Sequence, residues 1–218
     1  AYRLDRAYSG DSLAHKNESH HRYWVRYSSE KLEARLGLQK IVFGPSFVLR
    51  SLSLFDTIDL RDPTGQTDGV EAFRLRWFPS NSLSLWSWAI NNDQNTLSYG
   101  SRAEVSNSAG EWGLTYHQDP SKSLQMFGQD NIPDFGSHNR LAVDYRYDGF
   151  FGFWNEGALI SSDRTDIIMT TVGADYTLQI SNGILIMAEY MSISNKFDSY
   201  ESSQSYTALM ASMPLGMV

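Results

Sequence analysis

The chain has 218 residues, 18 Lys and Arg against 25 Asp and Glu for a formal net charge of −7, 41% hydrophobic residues and no cysteine. One domain fits that length; the acidic balance and the lack of any basic stripe argue against a duplex-wrapping nucleic-acid binder, and the missing cysteines exclude thiolate zinc sites, disulfides and a cysteine nucleophile. No run approaches the ~18 to 20 apolar residues of a membrane helix, so a membrane span in this sequence has to be built from strands.

Apolar and polar residues alternate with period two in segment after segment, and helical spacing is nearly absent. Residues 1–8 read as a strand feeding a polar loop at 9–21. Strands follow at 23–28 and 32–43 through Ser29-Glu30-Lys31, at 70–78 and 83–90 through Pro79-Ser80-Asn81, and at 99–106 and 111–117 around Asn107-Ser108-Ala109-Gly110. The clearest pair is 140–147 and 150–161 around Asp148-Gly149, a strong hairpin turn. There Leu141, Val143, Tyr145 and Tyr147 share one face and Arg140, Asp144 and Arg146 the other, a separation that a helix cannot keep. Strands at 167–180 and 184–192 meet around Ser181-Asn182-Gly183, and 206–218 closes a set of about 12 strands in a single domain. Within 83–90 the apolar parity switches near Leu85, which predicts a bulge.

Connections within hairpins are short, whereas those between hairpins, at 44–69, 91–98, 118–138, 162–166 and 193–204, are longer and polar. Short turns at one end and long loops at the other are the habit of outer-membrane barrels. The 26-residue stretch 44–69 exceeds the usual loop length and carries Leu49, Leu52, Leu54 and Phe55, so it is expected to be folded or functional.

A membrane barrel and a soluble β-sandwich both alternate, so the charges decide between them. Lysine is scarce, five against thirteen arginines, and the polar strand faces carry Arg26, Glu33, Arg35, Arg74, Arg76, Arg102, Glu104, Arg140, Asp144, Arg146, Glu156, Asp175 and Glu189. Opposed charges with few lysines suit a confined, hydrogen-bonded interior better than an open surface. Trp and Tyr gather near strand ends, as in membrane-interface girdles. The expected fold is therefore all-β, an antiparallel transmembrane β-barrel. Because 213–218, Met-Pro-Leu-Gly-Met-Val, reads as the approach to another turn, the chain is expected to be part of a larger barrel, with an edge near Val218 that further strands or a partner chain would pair.

At Arg35-Leu36-Gly37-Leu38-Gln39-Lys40-Ile41-Val42-Phe43-Gly44, at Leu49-Arg50, at Phe55-Asp56-Thr57-Ile58-Asp59-Leu60-Arg61-Asp62-Pro63 and at Thr67-Asp68-Gly69-Val70 the chain resembles a family of uncharacterised bacterial outer-membrane barrels. These are distantly similar to alginate-export and related porins. The resemblance extends to Gly173-Ala174-Asp175-Tyr176-Thr177, Asn182-Gly183, Glu189 and Pro214-Leu215-Gly216. It implies an outer-membrane location, outer-membrane lipid as the surrounding partner, and passage of an anionic or polar solute; it assigns no particular substrate.

Three groups of residues carry candidate chemistry. The charged strand faces would line a pore and select small polar solutes through a transverse field, or would only pair with each other and fill a narrow interior. In the long loop, Arg50, Asp56, Asp59, Arg61 and Asp62 would sit on a constriction folded into the pore; with Asp68 the carboxylates match no calcium loop, so no metal is expected. The histidines, His15, His20, His21, His117 and His138, lie mostly in loops or at strand starts, and without a Gly-x-Ser-x-Gly elbow they predict no enzyme. No phosphate loop, dinucleotide fingerprint or heme motif is present, so no cofactor is expected. The expected function is a porin-like channel for small polar solutes. The alternatives are a non-conducting structural or docking barrel, and a soluble sandwich using Trp24, Trp86, Trp88 and Trp154 as carbohydrate-stacking platforms.

Overall fold

The computed structural model describes residues 2–9, 12–20, 22–55, 69–91, 96–121, 124, 135–180, 182–197 and 200–214. Its strands are β1 (Tyr2–Ser9), β2 (Ser12–His20), β3 (Tyr23–Ser28), β4 (Leu32–Gln39), β5 (Val70–Ser80), β6 (Leu83–Asn91) and β7 (Leu97–Asn107). They continue as β8 (Gly110–Asp119), β9 (His138–Asp148), β10 (Gly152–Ser162), β11 (Thr165–Leu178), β12 (Ile184–Phe197) and β13 (Tyr200–Ser212). From β3 to β13 every strand pairs with its neighbour in sequence, giving one 11-stranded antiparallel meander; β1 and β2 form a separate two-stranded sheet. No helix occurs among the described residues. The large sheet is open, with β3 and β13 as its edges.

Several strand expectations need correction. The polar loop expected at 9–21 contains β2, which pairs with β1 from Tyr2↔His20 to Ser9↔Ser12. Ser-Leu-Ala-His-Lys-Asn-Glu-Ser-His has no apolar face, so periodicity could not reveal it. β4 ends at Gln39, not at 43, because the chain leaves the sheet there. The bulge expected near Leu85 lies instead on β5: pairing passes from Trp77↔Leu85 to Ser80↔Leu83, so Phe78 and Pro79 together oppose Ser84. Pro79 has no N–H to give to a ladder, which suits the bulged position. The connections expected to be long at 162–166 and 193–204 shrink to 163–164 and 198–199, because β11 and β12 each run for 14 residues.

Register and alternation divide the sheet into two faces. In an antiparallel pair directly opposed residues point the same way, so Arg146↔Trp154, Glu156↔Thr171 and Gly173↔Glu189 mark one face, and Val143↔Gly157, Leu159↔Ile168 and Val172↔Tyr190 the other. The second face is apolar yet exposed: Leu141 is 48% and Val143 50% accessible. The first is polar yet covered: Arg140 is 4% and Glu189 2% accessible, and Glu156 is fully buried. A soluble sandwich has the opposite arrangement.

The cover is residues 40–55, which follow β4 across the charged face. Phe43 packs against Trp86 and Trp88 of β6 and lies under Arg102 of β7. Phe55 meets His117 of β8, and Arg140 of β9 donates to the Leu54 carbonyl at 3.2 Å. The same segment bonds to Glu156 of β10, Thr171 of β11 and Glu189 of β12. Phe43 and Gly44 are adjacent in sequence, but one touches β6 and the other β10, strands ~19 Å apart on a flat sheet. The sheet must therefore curl around the segment, making the charged face its concave side.

Candidate functional site

The segment's own chemistry explains its place. Ile41, Phe43, Leu49, Leu52 and Leu54 are buried with Trp88, Ile90, Ala142, Ala158, Ile160, Met169 and Met191 in one apolar cluster. Each such side chain gains on the order of 1.5–3 kcal/mol from leaving water. This accounts for the parity switch in β6: Trp86 and Trp88 stand on the concave face because the segment supplies their apolar contacts. Large inward rings are matched by glycines on the next strand. Gly100 lies opposite Trp88 and Gly173 opposite Trp154, and a Cβ at either would overlap the indole.

Backbone N–H groups that leave a sheet need acceptors, and two carboxylates provide them. Glu156 accepts from Ser46 N at 2.8 Å and Leu52 N at 3.0 Å. Glu189 accepts from Phe47, Val48 and Leu49 N at 2.7, 2.9 and 2.7 Å, and from the Trp154 indole N–H at 3.2 Å. Gly44, at φ +83°, makes the bend beside Glu156, and a Cβ there would overlap the carboxylate. Arg50 donates to the Phe43 carbonyl at 2.9 Å. Burial lowers its pKa, while the charges of Glu156 and Glu189 act to raise it. Between these two acids the Ser51 and Thr171 hydroxyls share a hydrogen bond at 2.8 Å.

Toward the short-turn end the concave face is a lattice of ion pairs. Glu33 lies 2.7 Å from Arg26, 3.0 Å from Arg35 and 2.9 Å from Arg74, three arginines that oppose one another in register across β3, β4 and β5. Glu104 holds Arg76 at 3.2 Å and Arg102 at 2.8 Å, and accepts from Ser84 and the Trp86 indole. Arg102 also grips Asp144 with both terminal nitrogens, at 2.6 and 2.9 Å. Arg146 pairs with Asp148 at 2.9 Å. Below residues 42–45 lies a cavity of about 510 Å³, reached by Arg76, Arg102, Arg146, Glu104, Glu111 and Asp144. A second, of about 400 Å³, shares Arg76, Glu104 and Ser106 with it.

All the charged strand residues picked out by sequence, from Arg26 to Glu189 and including Asp175, fall on this concave face. Of the loop residues, Arg50 is buried within the segment, while Asp56, Asp59, Arg61, Asp62 and Asp68 lie outside the described residues. Nε2 of His138 lies 4.0 Å from an Asp119 carboxylate oxygen. Nδ1 of His117 accepts the Trp88 indole N–H at 3.2 Å, and His138 bonds to the Gly136 carbonyl at 3.0 Å and to Arg140 at 3.2 Å. His15 and His20 belong to β2 and His21 is outside the described residues. Among the described residues no group of three or more His, Asp or Glu could hold a metal. Trp88 and Trp154 are buried under Phe43 and Phe47, so they offer no face to a sugar.

Sequence reasoning missed Glu111, which shares the parity of Thr115 and His117 and opposes Arg146; its position just after the Asn107–Gly110 turn was the available signal. It also missed the acceptor role of Glu156 and Glu189, for which no local signal exists. Comparison with family models, curated proteins and solved structures finds nothing that matches this chain.

Proposed function

We propose that the chain forms, whole or in part, a bacterial outer-membrane β-barrel that acts as a porin-like channel for small polar solutes, with residues 44–69 as its constriction. One observation carries this reading: the sheet is inside-out. On the outer face of β3 to β12 the only charged residues are Glu71, Asp166 and Lys196, all at the end of the sheet where residues 40–55 leave β4. Between them runs a band that includes Val25, Leu36, Leu114, Leu141, Val143, Ile168 and Val172, all exposed. An apolar surface of this extent is not tolerated in water, whereas hydrocarbon favours it.

Aromatic residues border the band. Near the short turns stand Tyr27, Trp77, Trp112, Tyr147, Phe151 and Tyr176, with Trp112 against Tyr145 at 4.2 Å between ring centres; near the loops stand Tyr23, Tyr99 and Tyr116. Amphipathic rings prefer those two levels of a bilayer. Bilayer hydrocarbon also forbids unpaired strand edges, so β3 and β13 each require a neighbour in the assembled barrel.

The test is reconstitution of the full chain into lipid vesicles, with insertion read by protease protection of the strands and permeation read by planar-bilayer current. Stable insertion with a stepwise current supports the channel. Insertion without current, together with current after removal of the constriction, supports a plugged, non-conducting barrel. A chain that remains in the aqueous phase overturns both.

A further inference from the structure

The cavity beneath residues 42–45 combines opposed charges with hydrogen-bonding capacity left open. Its walls bring three guanidiniums, Arg76, Arg102 and Arg146, against three carboxylates, Glu104, Glu111 and Asp144. Most of these are already paired at 2.6 to 3.2 Å. Glu111 is different. It makes no hydrogen bond among the described residues, and neither does the Ser106 hydroxyl on the same wall.

We propose that this cavity is a binding site for a neutral polyhydroxylated solute of mono- to disaccharide size. Net charge decides against an anion, since Asp148 already holds Arg146 and leaves Glu111 as a surplus carboxylate; a cation gains little in turn, because that one carboxylate is exposed to water. Existing pairs decide against a zwitterion, whose ends would have to break the Arg102 to Asp144 fork to be held, losing as many charge-assisted bonds as they make. Hydroxyl groups need no such exchange. They donate to the spare lone pairs of Glu111, Glu104 and Asp144 and accept from Ser106 and the free guanidinium N–H groups, adding bonds to a lattice that stays intact. A volume of about 510 Å³ lies within the range of small-molecule sites.

The inference deepens the channel reading by naming its solute class, and it is tested apart from permeation. The full chain in detergent micelles is titrated calorimetrically with sucrose, glycylglycine and succinate. Sucrose binding, uncompeted by either of the others, is expected. Glu111→Ala and Ser106→Ala, both at exposed positions whose side chains hold nothing else in place, should each weaken it about tenfold with an unchanged strand circular dichroism signal. Tighter binding of succinate or glycylglycine, absence of sucrose binding, or sucrose affinity indifferent to both substitutions overturns it. Vesicle insertion and current with no sucrose binding would leave the channel reading standing and this inference refuted; sucrose binding without insertion would do the reverse.

Discussion

Glu156 and Glu189 face the same side of the sheet from β10 and β12, and each closes its carboxylate on backbone N–H groups of one short segment instead of on a side-chain cation. With the Ser51 to Thr171 bond between them, three adjacent strands grip residues 46–52. A carboxylate that accepts several N–H groups is well satisfied in a dry site, which lets an acid be buried there without a bidentate arginine.

Replacing Glu189 by Ala should therefore loosen the segment before it harms the sheet. Three backbone donors and the Trp154 indole lose their acceptor, and an unsatisfied buried donor costs ~1–3 kcal/mol. The expected result is a new protease-sensitive site within 44–52 and a loss of ~3 kcal/mol or more in urea unfolding. Strand content by circular dichroism should stay unchanged. A protease pattern identical to the wild type would mean that the apolar contacts of Phe43, Leu49 and Leu52 hold the segment alone.

Arg102 and Asp144 form the best-aligned ion pair on the concave face, and both are buried. Asp144→Ala leaves the guanidinium with Glu104 and the Thr115 hydroxyl and should cost ~3–5 kcal/mol. The double change Arg102→Met with Asp144→Leu should cost much less, since it removes both charges and fills the same volume. Equal losses for single and double variants, measured by chemical unfolding in micelles, would show that the pair is not coupled.

Val143 sits at the centre of β9 on the outer face and is half exposed. In a bilayer, Val143→Arg should destabilise by ~2–4 kcal/mol, and an Arg placed at Tyr147, near the turn, by ~0–1 kcal/mol. Unfolding from lipid vesicles measures both. A depth-independent effect would mean that the outer face does not meet hydrocarbon.

How much of this was legible in the sequence differs between backbone and interior. Leu141 to Tyr147 could be assigned to the correct faces because strand side chains alternate with period two, a rule that needs no knowledge of neighbours. The same rule fixes the side of Arg35, Arg102 and Glu156. It fails for β2, whose residues give no apolar face, and for Trp86 and Trp88, which point inward only because residues 41–55 return across the sheet. That return is a long-range event. Glu156 lies 110 residues from Ser46 and Glu189 lies 142 from Phe47, and no local pattern encodes such a pairing. The sequence did mark the segment as unusual, through its length and the apolar side chains of Leu49, Leu52, Leu54 and Phe55, without marking what it binds.

Residues 41–55 cover the concave face of every strand from β6 to β12 and bury Leu52 completely. A free loop would have no reason to carry Leu49, Leu52 and Leu54 inward, and the positive φ of Gly44 supplies the bend that turns the chain there. Deleting residues 47–62 removes the partners of Glu189 and most of the apolar contact while leaving the strands and their turns in place. In a planar bilayer this deletion should raise single-channel conductance if the full chain conducts, and create conductance where there was none if the segment is a plug. Glu156 and Glu189 would then stand uncovered on the concave wall, so the enlarged pathway should also shift toward cation preference, read as a change in reversal potential under a salt gradient. An unchanged current with intact strands would place the segment outside the permeation path.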